Sequence, residues 1–210
     1  TRLDEAADER ADWMAEAGCV YIGFGAESAS PNVLERMNKG GFILRPRGTK
    51  ENDLTRFNGF DFPTTMVRGI QNCQRVGIHA NCTWIIAYPG ETLRDLQTSV
   101  AFILWQEELV VKEAVNRKMF VATAYPGTAM FKDAACRQLL GKNFGISFQV
   151  DGEPVADEAL RAYILELDDA TKLMHGRDGR PLNFGEMPDD VFLQAREYVN
   201  TGQIEQILNM

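Results

Sequence analysis

The sequence predicts an α/β protein built on a parallel sheet or barrel. Between residues 3 and 140, segments with helical spacing of apolar residues alternate with short apolar runs. Three of these runs end in turns rich in glycine or proline, "GAES", "AYPGET" and "AYPGTA", and the last two resemble each other as a weak internal repeat. Helices that alternate with short buried strands are typical of parallel α/β folds, in which ligands bind at the carboxyl ends of the strands.

Caps and helix breakers locate the first elements. A helix is predicted over residues 3–17, where Gly18 ends it, and a buried strand over 19–26. In the next helix Ser30 is a good N-cap, Pro31 a good first residue, and Gly40-Gly41 a good end.

The middle of the chain continues this alternation after one interruption. Residues 41–61 mix Gly, Pro and Asn with charges of both signs, which predicts a long inserted loop, either functional or a plain surface insertion. The elements predicted after it are a helix over 64–77, a strand over 78–86, a helix from Thr92, a strand over 117–124 and a helix over 128–140.

A soft boundary near residue 145 divides the chain into two predicted parts. Residues 1–145 carry the alternating pattern, and residues 146–210 form a mostly helical appendage. In the appendage "ISFQV" is predicted as a strand before an Asp-Gly turn, with helices over 156–174 and 189–208.

Composition limits the class of protein. The chain has 210 residues, 45% hydrophobic and 25% charged, which is typical of an ordinary globular protein. The formal net charge of -8 argues against a broad nucleic-acid surface, and no apolar run is long enough to cross a membrane. The acidic start lacks the apolar core of a signal peptide. Since the chain opens at Thr1, within an expected helix, we expect a fragment of a longer protein.

The four cysteines predict free thiols in a reducing, cytoplasmic setting. Cys19, Cys73, Cys82 and Cys136 form no CxxC pair, and no histidine stands at metal-ligand spacing from them. Each lies in an apolar or helical context, which is typical of buried structural cysteines.

Strand alternation makes Glu27 a candidate ligand contact. If Glu27 faces the interior of a barrel, Tyr21, Gly23 and Gly25 share its face, and bulky residues face the helices. Glu27 would then accept hydrogen bonds from ligand hydroxyls or an amine. The alternative is a carboxylate that caps the following helix. For Glu91, at the start of a helix, the two interpretations are equally balanced, and "GFGAES" lacks the full dinucleotide-binding pattern.

Three motifs in order resemble radical S-adenosylmethionine enzymes, especially those of the cobalamin-binding or methylthiotransferase-like type. "AGCVYIGFGAESASPNVLERMNKG" resembles their fourth-strand region, "GIHANCTWIIAYPGETLRDLQTSVAFI" their fifth strand and helix, and "VATAYPGTAMF" their sixth strand. The resemblance covers residues 3–135. It implies strands four to six of a partial (β/α)6 TIM-like barrel, followed by the appendage.

The resemblance also implies ligands and site residues. S-adenosylmethionine would bind with Glu27 and Ser28 near its ribose and methionine parts. The turn from Ile86 to Glu91, which includes Tyr88, and the backbone at Ala124 and Tyr125 would lie near its adenine. The family also uses a [4Fe–4S] cluster and, in some members, cobalamin, and its activities are those of transferases and oxidoreductases acting on small-molecule substrates.

Two main departures and a smaller one qualify the resemblance. The CxxxCxxC loop that holds the cluster and the glycine-glycine-acid turn that holds the methionyl amine are both absent, and Ala87 stands where a glycine is usual. We therefore expect the cluster ligands, any cobalamin domain and the N-terminal half of the barrel to lie outside this chain, and the isolated chain to be inactive.

Two other functional classes stay open. A non-catalytic binding domain could have kept the βα scaffold, and a hydrolytic or aldolase-type half barrel is a weaker alternative because no base or nucleophile constellation is present.

Two further expectations concern partners. The basic residues of the segments 39–56 and 172–180 are candidate contacts for an anionic substrate or plain surface charge. A three-stranded parallel sheet with unpaired edges also predicts that the isolated chain forms a homodimer.

Overall fold

A computed structural model describes residues 1–6, 8–39, 53–110, 115–167 and 174–210. The helices and strands are α1 (Asp8–Glu16), β1 (Tyr21–Glu27), α2 (Pro31–Arg36), β2 (Leu54–Phe57), β3 (Phe60–Pro63), α3 (Thr64–Arg75), β4 (His79–Ile86), α4 (Leu93–Leu109), β5 (Met119–Val121), α5 (Ala129–Lys132), α6 (Ala134–Phe144), α7 (Glu158–Glu166) and α8 (Asp189–Asn200). Short 3₁₀ helices cover Leu3–Glu5 and Ile204–Asn209.

The predicted parallel α/β architecture is confirmed as a three-stranded parallel sheet with helices. Its strand order is β1-β4-β5, and both pairings are parallel. Sequential order with intervening helices is the arrangement of an arc of a barrel and also of half a doubly wound sheet. No helix in the described ranges combines the length and hydropathy needed to cross a membrane.

The predicted loop over residues 41–61 is wrong for its described part, which forms the antiparallel hairpin β2–β3. Asn58 and Gly59 both adopt left-handed φ angles, 48° and 80°, between the paired Phe57 and Phe60. Asn-Gly is the strongest short signal for such a turn, because both residues tolerate positive φ. Residues 40–52 lie outside the described residues, as do Arg45, Arg47 and Lys50 of the candidate anion contacts.

Alternation along β1 and β4 separates a helix-facing side from an open side, as the sequence predicts. Phe24, Cys82 and Trp84 are buried toward the helices, whereas Tyr21 is 54% exposed on the other side. An aromatic cluster of Phe62, Trp84, Phe102 and Trp105 fills the first hydrophobic core, with ring centroids 5.0–6.3 Å apart. On the open side, β1 and β4 place the small and polar residues Gly23, Gly25, Asn81 and Thr83 beside one another, while Ile85 at the end of β4 packs against a second core.

A second hydrophobic core lies beyond β5 and joins α5, α6, α7 and the following loop. It contains Ala122 and Phe131 together with Tyr163 and Phe184, and the first core includes Phe192 of α8. Both cores thus include residues from either side of position 145. The boundary at that position stays a prediction.

Several predicted elements differ in detail. The helix predicted over 3–17 is a 3₁₀ helix over Leu3–Glu5 followed by α1 over Asp8–Glu16. The helix over 128–140 is divided at Asp133, because the Asp133 carboxylate caps α6 by accepting from the backbone N–H groups of Ala135 and Cys136. "ISFQV" forms no strand and contributes only the bridge between Phe148 and Pro154. The helix predicted over 156–174 is α7 and ends at Glu166, and residues 168–173, with Lys172, lie outside the described residues.

Candidate functional site

The carboxyl ends of β1, β4 and β5 meet at one edge of the sheet. The register pairs Glu27 of β1 with Trp84 of β4, and Ile86 of β4 with Val121 of β5. The Ala122 backbone N–H donates to the Ile86 carbonyl at 2.9 Å, which continues the pairing past β5. This edge brings together the three turns that the sequence predicts as ligand-binding segments.

Glu27 reaches the edge through an irregularity in β1. A β-bulge between Gly25 and Glu27 breaks the register with β4, and Glu27 adopts a left-handed φ of 64°. Lys39 Nζ donates to Glu27 Oε1 at 3.0 Å and to the Gly25 carbonyl at 3.2 Å. A Cβ at Gly25 would stand 2.7 Å from Glu27 Oε1, so a larger residue at this position would displace the carboxylate. Glu27 therefore pairs with a lysine, while Ser30 is the N-cap residue of α2.

Ser28 is directed away from the edge into a buried polar network. Its hydroxyl lies 3.0 Å from the Ser99 hydroxyl of α4 and accepts from the Ser30 backbone N–H at 3.1 Å. The Ala29 backbone N–H donates to the Ser99 hydroxyl at 3.0 Å. Ser28 is fully buried, so its hydroxyl ties the β1–α2 turn to α4 rather than facing the open side.

Asp95 of α4 is the centre of this network. It accepts hydrogen bonds from the Ser30 hydroxyl at 2.5 Å and the Asn32 amide at 3.2 Å, and it forms a capping box with Thr92. Burial alone would raise the pKa of Asp95, but the hydrogen bonds from Ser30, Thr92 and Asn32 favour the carboxylate and hold that pKa below its ordinary value. The carboxylate thus joins the amino ends of α2 and α4.

Glu91 closes the turn after β4 from the inside. Its Oε2 accepts from the Ala87 backbone N–H at 2.5 Å, and its own N–H donates to the Tyr88 carbonyl at 2.9 Å. Glu91 is fully buried, and its Oε1 has no hydrogen-bond partner within the described structure. Burial, with a smaller contribution from the nearby Asp95 charge, raises the pKa of Glu91 to about 8, so the carboxyl is mostly neutral at pH 7.

Two adjacent strands end in strained backbone. Ala87 has a left-handed φ of 65°, nearly equal to that of Glu27 on the neighbouring strand. A non-glycine residue in this region costs about 1–2 kcal/mol because its Cβ approaches the backbone. Such residues cluster at ligand sites, where the surrounding structure holds them.

The remaining predicted contacts differ in their access to this edge. Ile86 is fully buried on the helix-facing side, because alternation turns its side chain into the first core. Tyr88 is half-buried against the second core, and desolvation raises its pKa. Ala124 is buried, and its carbonyl accepts from the Tyr163 hydroxyl at 2.6 Å. The Tyr125 carbonyl accepts from the Thr128 hydroxyl at 2.7 Å.

The open side of the sheet leads to the same edge. Gly23 and Gly25 of β1 pair with Asn81 and Thr83 of β4. The two glycines have no side chains, so the backbone of β1 is accessible on this surface. A Cβ at Gly23 would meet no atom within 4 Å. Toward the amino ends of the strands, the Tyr21 ring stacks on His79 with centroids 5.4 Å apart. The face can therefore admit a flat ligand close to the backbone.

The cysteines supply no metal site in the part of the chain that the structure describes, where no three His, Cys, Asp or Glu side chains converge. All four are free thiols. Burial raises the pKa of Cys73 to about 11, with a contribution from Cys19, and that of Cys82 to about 12, with a contribution from Cys73. The Cys73 and Cys82 thiols are therefore protonated and unreactive at neutral pH.

Sequence reasoning missed three residues of the edge. Lys39 follows α2 and binds Glu27, Asp95 joins two helices, and Tyr163 binds the Ala124 carbonyl. A signal existed for Asp95, since a Thr-x-x-Asp pattern at a helix start resembles a capping box. The local sequence contains no comparable signal for the contacts of Lys39 or Tyr163.

Comparison with known proteins gives one sequence relative. No family model matches the chain. The chain is 28% identical over 140 residues to an uncharacterized methyltransferase of Pyrococcus horikoshii, an alignment that covers 67% of this chain and 25% of the relative. The chain therefore spans about a quarter of the length of that relative.

The solved structures similar to this chain include two of TsrM from Kitasatospora setae, a radical S-adenosylmethionine methyltransferase. The structure with cobalamin and a [4Fe-4S] cluster has 19% identity and a TM-score of 0.44, and the match covers 86% of this chain and 31% of TsrM. The structure with tryptophan substrate and a S-adenosylmethionine analogue has 17% identity and a TM-score of 0.47, with 96% and 33% covered. At these scores the likeness does not establish a shared fold.

Proposed function

We propose that this chain forms the S-adenosylmethionine-binding and substrate-facing part of a radical S-adenosylmethionine enzyme that transfers a methyl group. The observation that carries the proposal is the pair of left-handed residues, Glu27 and Ala87, at the carboxyl ends of adjacent parallel strands. The three-motif resemblance supports the ligand, and the name of the Pyrococcus horikoshii relative supports methyl transfer.

Glu27 is the proposed contact for the polar part of the ligand. Its carboxylate is about one-fifth exposed at the edge, and Lys39 holds one of its oxygens. The other oxygen can accept from ribose hydroxyls or from the methionyl amine, and such charge-assisted bonds are stronger than neutral ones. Gly25 leaves the room that this arrangement needs.

The turns after β4 and β5 are the proposed contacts for the adenine. The turn from Ala87 to Glu91 has its backbone fixed by the buried Glu91 carboxyl, and Ala124–Tyr125 lies beside it in the sheet order. Backbone groups there recognise a base edge without a charged side chain. Bound S-adenosylmethionine supplies an activated methyl group, and the residues of this chain orient it.

The substrate is proposed to lie over the open side of the sheet. The floor formed by Gly23, Asn81 and Thr83 lies below the edge that holds the cofactor, so a small molecule placed there would approach the methyl group. We place the iron–sulfur ligands and any cobalamin-binding residues outside this chain, because the described residues do not fit a cluster.

The test is S-adenosylmethionine binding to the intact protein by calorimetry, with Glu27→Gln compared with Glu35→Gln. Glu35 is exposed on α2, so its variant makes the same change of charge away from the edge. Loss of a charge-assisted hydrogen bond is worth about 1.5–3 kcal/mol, so Glu27→Gln should weaken binding by roughly 10-fold to 150-fold. Equal binding by both variants would refute the role of Glu27, and binding without methyl transfer would favour a non-catalytic binding domain.

A further inference from the structure

A segment of the appendage lies directly on the turn after β4. The Glu186 backbone N–H donates to the Glu91 carbonyl at 2.8 Å. A Cβ at Gly185 would stand 3.1 Å from that carbonyl oxygen and 3.3 Å from the Ala87 Cα, so a larger residue does not fit without movement. The segment Phe184–Glu186 therefore contacts both ends of the Ala87–Glu91 turn.

Side-chain bonds fix the shape of this segment. The Asn183 side chain accepts from the Gly185 backbone N–H at 3.0 Å and donates to the Met187 carbonyl at 2.7 Å. Phe184 is buried in the second core and Met187 in the first. The segment is thus anchored on both sides, and it can transmit that rigidity to the turn.

The same part of the chain holds the neighbouring turn. Tyr163 of α7 is buried, and its hydroxyl donates to the Ala124 carbonyl at 2.6 Å. The two turns at the ends of β4 and β5 are therefore each bonded to residues that follow position 145. Neither bond belongs to the regular alternation of strands and helices in the first part of the chain.

We propose that Gly185, Glu186 and Tyr163 are positioning residues that set the two adenine-facing turns of the ligand site. The inference rests on the proposed function for the identity of the ligand. The turn after β4 contains a strained alanine and a buried carboxyl with an unpartnered oxygen, and both persist only if the surrounding structure holds them. The contact from Gly185 and Glu186 supplies that support from outside the turn.

Gly185→Ala is the variant that separates this support from general stability. Its added methyl group must displace either the Glu91 carbonyl or the Ala87 backbone by a few tenths of an ångström. The Glu186–Glu91 hydrogen bond then lengthens, and water reaches the Glu91 carboxyl. The matched control is Gly202→Ala. This substitution is strained by a φ of 73°, but no other atom lies within 4 Å of the added Cβ.

The first measurement needs no ligand. Titration of the Glu91 carboxyl by carbon-13 NMR should show a pKa in Gly185→Ala at least about one unit lower than in the wild type, because hydration favours the charged form. Asp95 is the charged neighbour that raises this pKa, and neither substitution changes it. Gly202→Ala should titrate as the wild type does. An unchanged Glu91 titration in Gly185→Ala would overturn the proposal.

The second measurement is the S-adenosylmethionine dissociation constant of the intact protein. Residues that act through a turn modulate binding roughly 3-fold to 30-fold, and we expect an increase of this size in Gly185→Ala. Tyr163→Phe, which removes only the bond to Ala124, should also weaken binding and serves if Gly185→Ala folds poorly. Equal weakening by Gly202→Ala would assign the effect to stability and overturn the proposal.

The two measurements distinguish the two proposals. A lowered Glu91 pKa in a protein that binds no S-adenosylmethionine would leave the positioning role standing and refute the proposed ligand. Wild-type binding that Gly185→Ala and Tyr163→Phe leave unchanged would refute the positioning role and leave the proposed function standing.

Discussion

The buried carboxyl of Glu91 predicts a stability that falls as pH rises. Its pKa is about 8 in the folded protein, against an ordinary value of 4.5. Between these values the folded state holds a proton that the unfolded state has released, so the contribution is fully present below pH 4.5 and is lost as pH rises through 8. A difference of one bound proton changes the unfolding free energy by about 1.4 kcal/mol per pH unit.

Glu91→Gln isolates this effect, because glutamine has the shape of the neutral acid and does not titrate. Burial of Glu91 outweighs the hydrogen bond that its Oε2 accepts from the Ala87 N–H, which favours the charged form, so the folded protein holds the neutral acid. Urea unfolding at pH 5, 6 and 7 should therefore give a wild-type free energy that falls, relative to the variant, by roughly 2.5 kcal/mol over this range. Of the three pH values, the difference in unfolding free energy between the wild type and Glu91→Gln should be displaced furthest from its pH 5 value at pH 7.

A flat difference between the two proteins would refute this reasoning. It would mean that Glu91 is charged in the folded state at pH 5, which requires water or a cation at Oε1. A matched control is Glu35→Gln, since Glu35 is exposed on α2. Its unfolding free energy should follow the wild type at every pH.

Three further predictions concern the buried network, the cysteines and assembly. Asp95→Asn should lower the unfolding free energy by about 1.5–3 kcal/mol, because the Ser30 and Thr92 bonds to a buried charge are lost or weakened; thermal melts check this, and an unchanged melting temperature would contradict it. The isolated chain should take up no iron–sulfur cluster on anaerobic reconstitution, as measured by iron and sulfide analysis, and stoichiometric iron would disprove this. Light scattering should give a dimer, because β1 and β5 are edge strands that each pair with one neighbour within the described sheet. A well-folded monomer would show that these edges need no partner.

The alternation within the strands could be predicted from sequence. Apolar residues at every second position place Phe24 and Trp84 on the helix-facing side, and the structure confirms this partition. Periodicity of two is a property of the strand itself, so it needs no information from the rest of the chain. The β2–β3 hairpin was predictable in the same way from Asn58-Gly59, but the mixed charges around it favoured a loop.

The contacts of the site residues could not be predicted in this way. Ser28 looks like a ligand contact until Ser99, 71 residues later, is found beside its hydroxyl. The burial of Glu91 depends on residues near position 185, and the pairing of Glu27 depends on Lys39. These are tertiary contacts between separate segments of the chain, and the sequence of one segment does not indicate which other segment it contacts.

Hydrogen–deuterium exchange of the intact protein, with and without S-adenosylmethionine, tests the central claim most directly. The account predicts that the ligand slows exchange at Glu27, in the Ala87–Glu91 turn and at Ala124–Tyr125, while the β2–β3 hairpin is unchanged. These segments lie at one edge of the sheet, and the hairpin belongs to a separate sheet. Protection confined to other segments, or no protection at saturating ligand, would contradict the account.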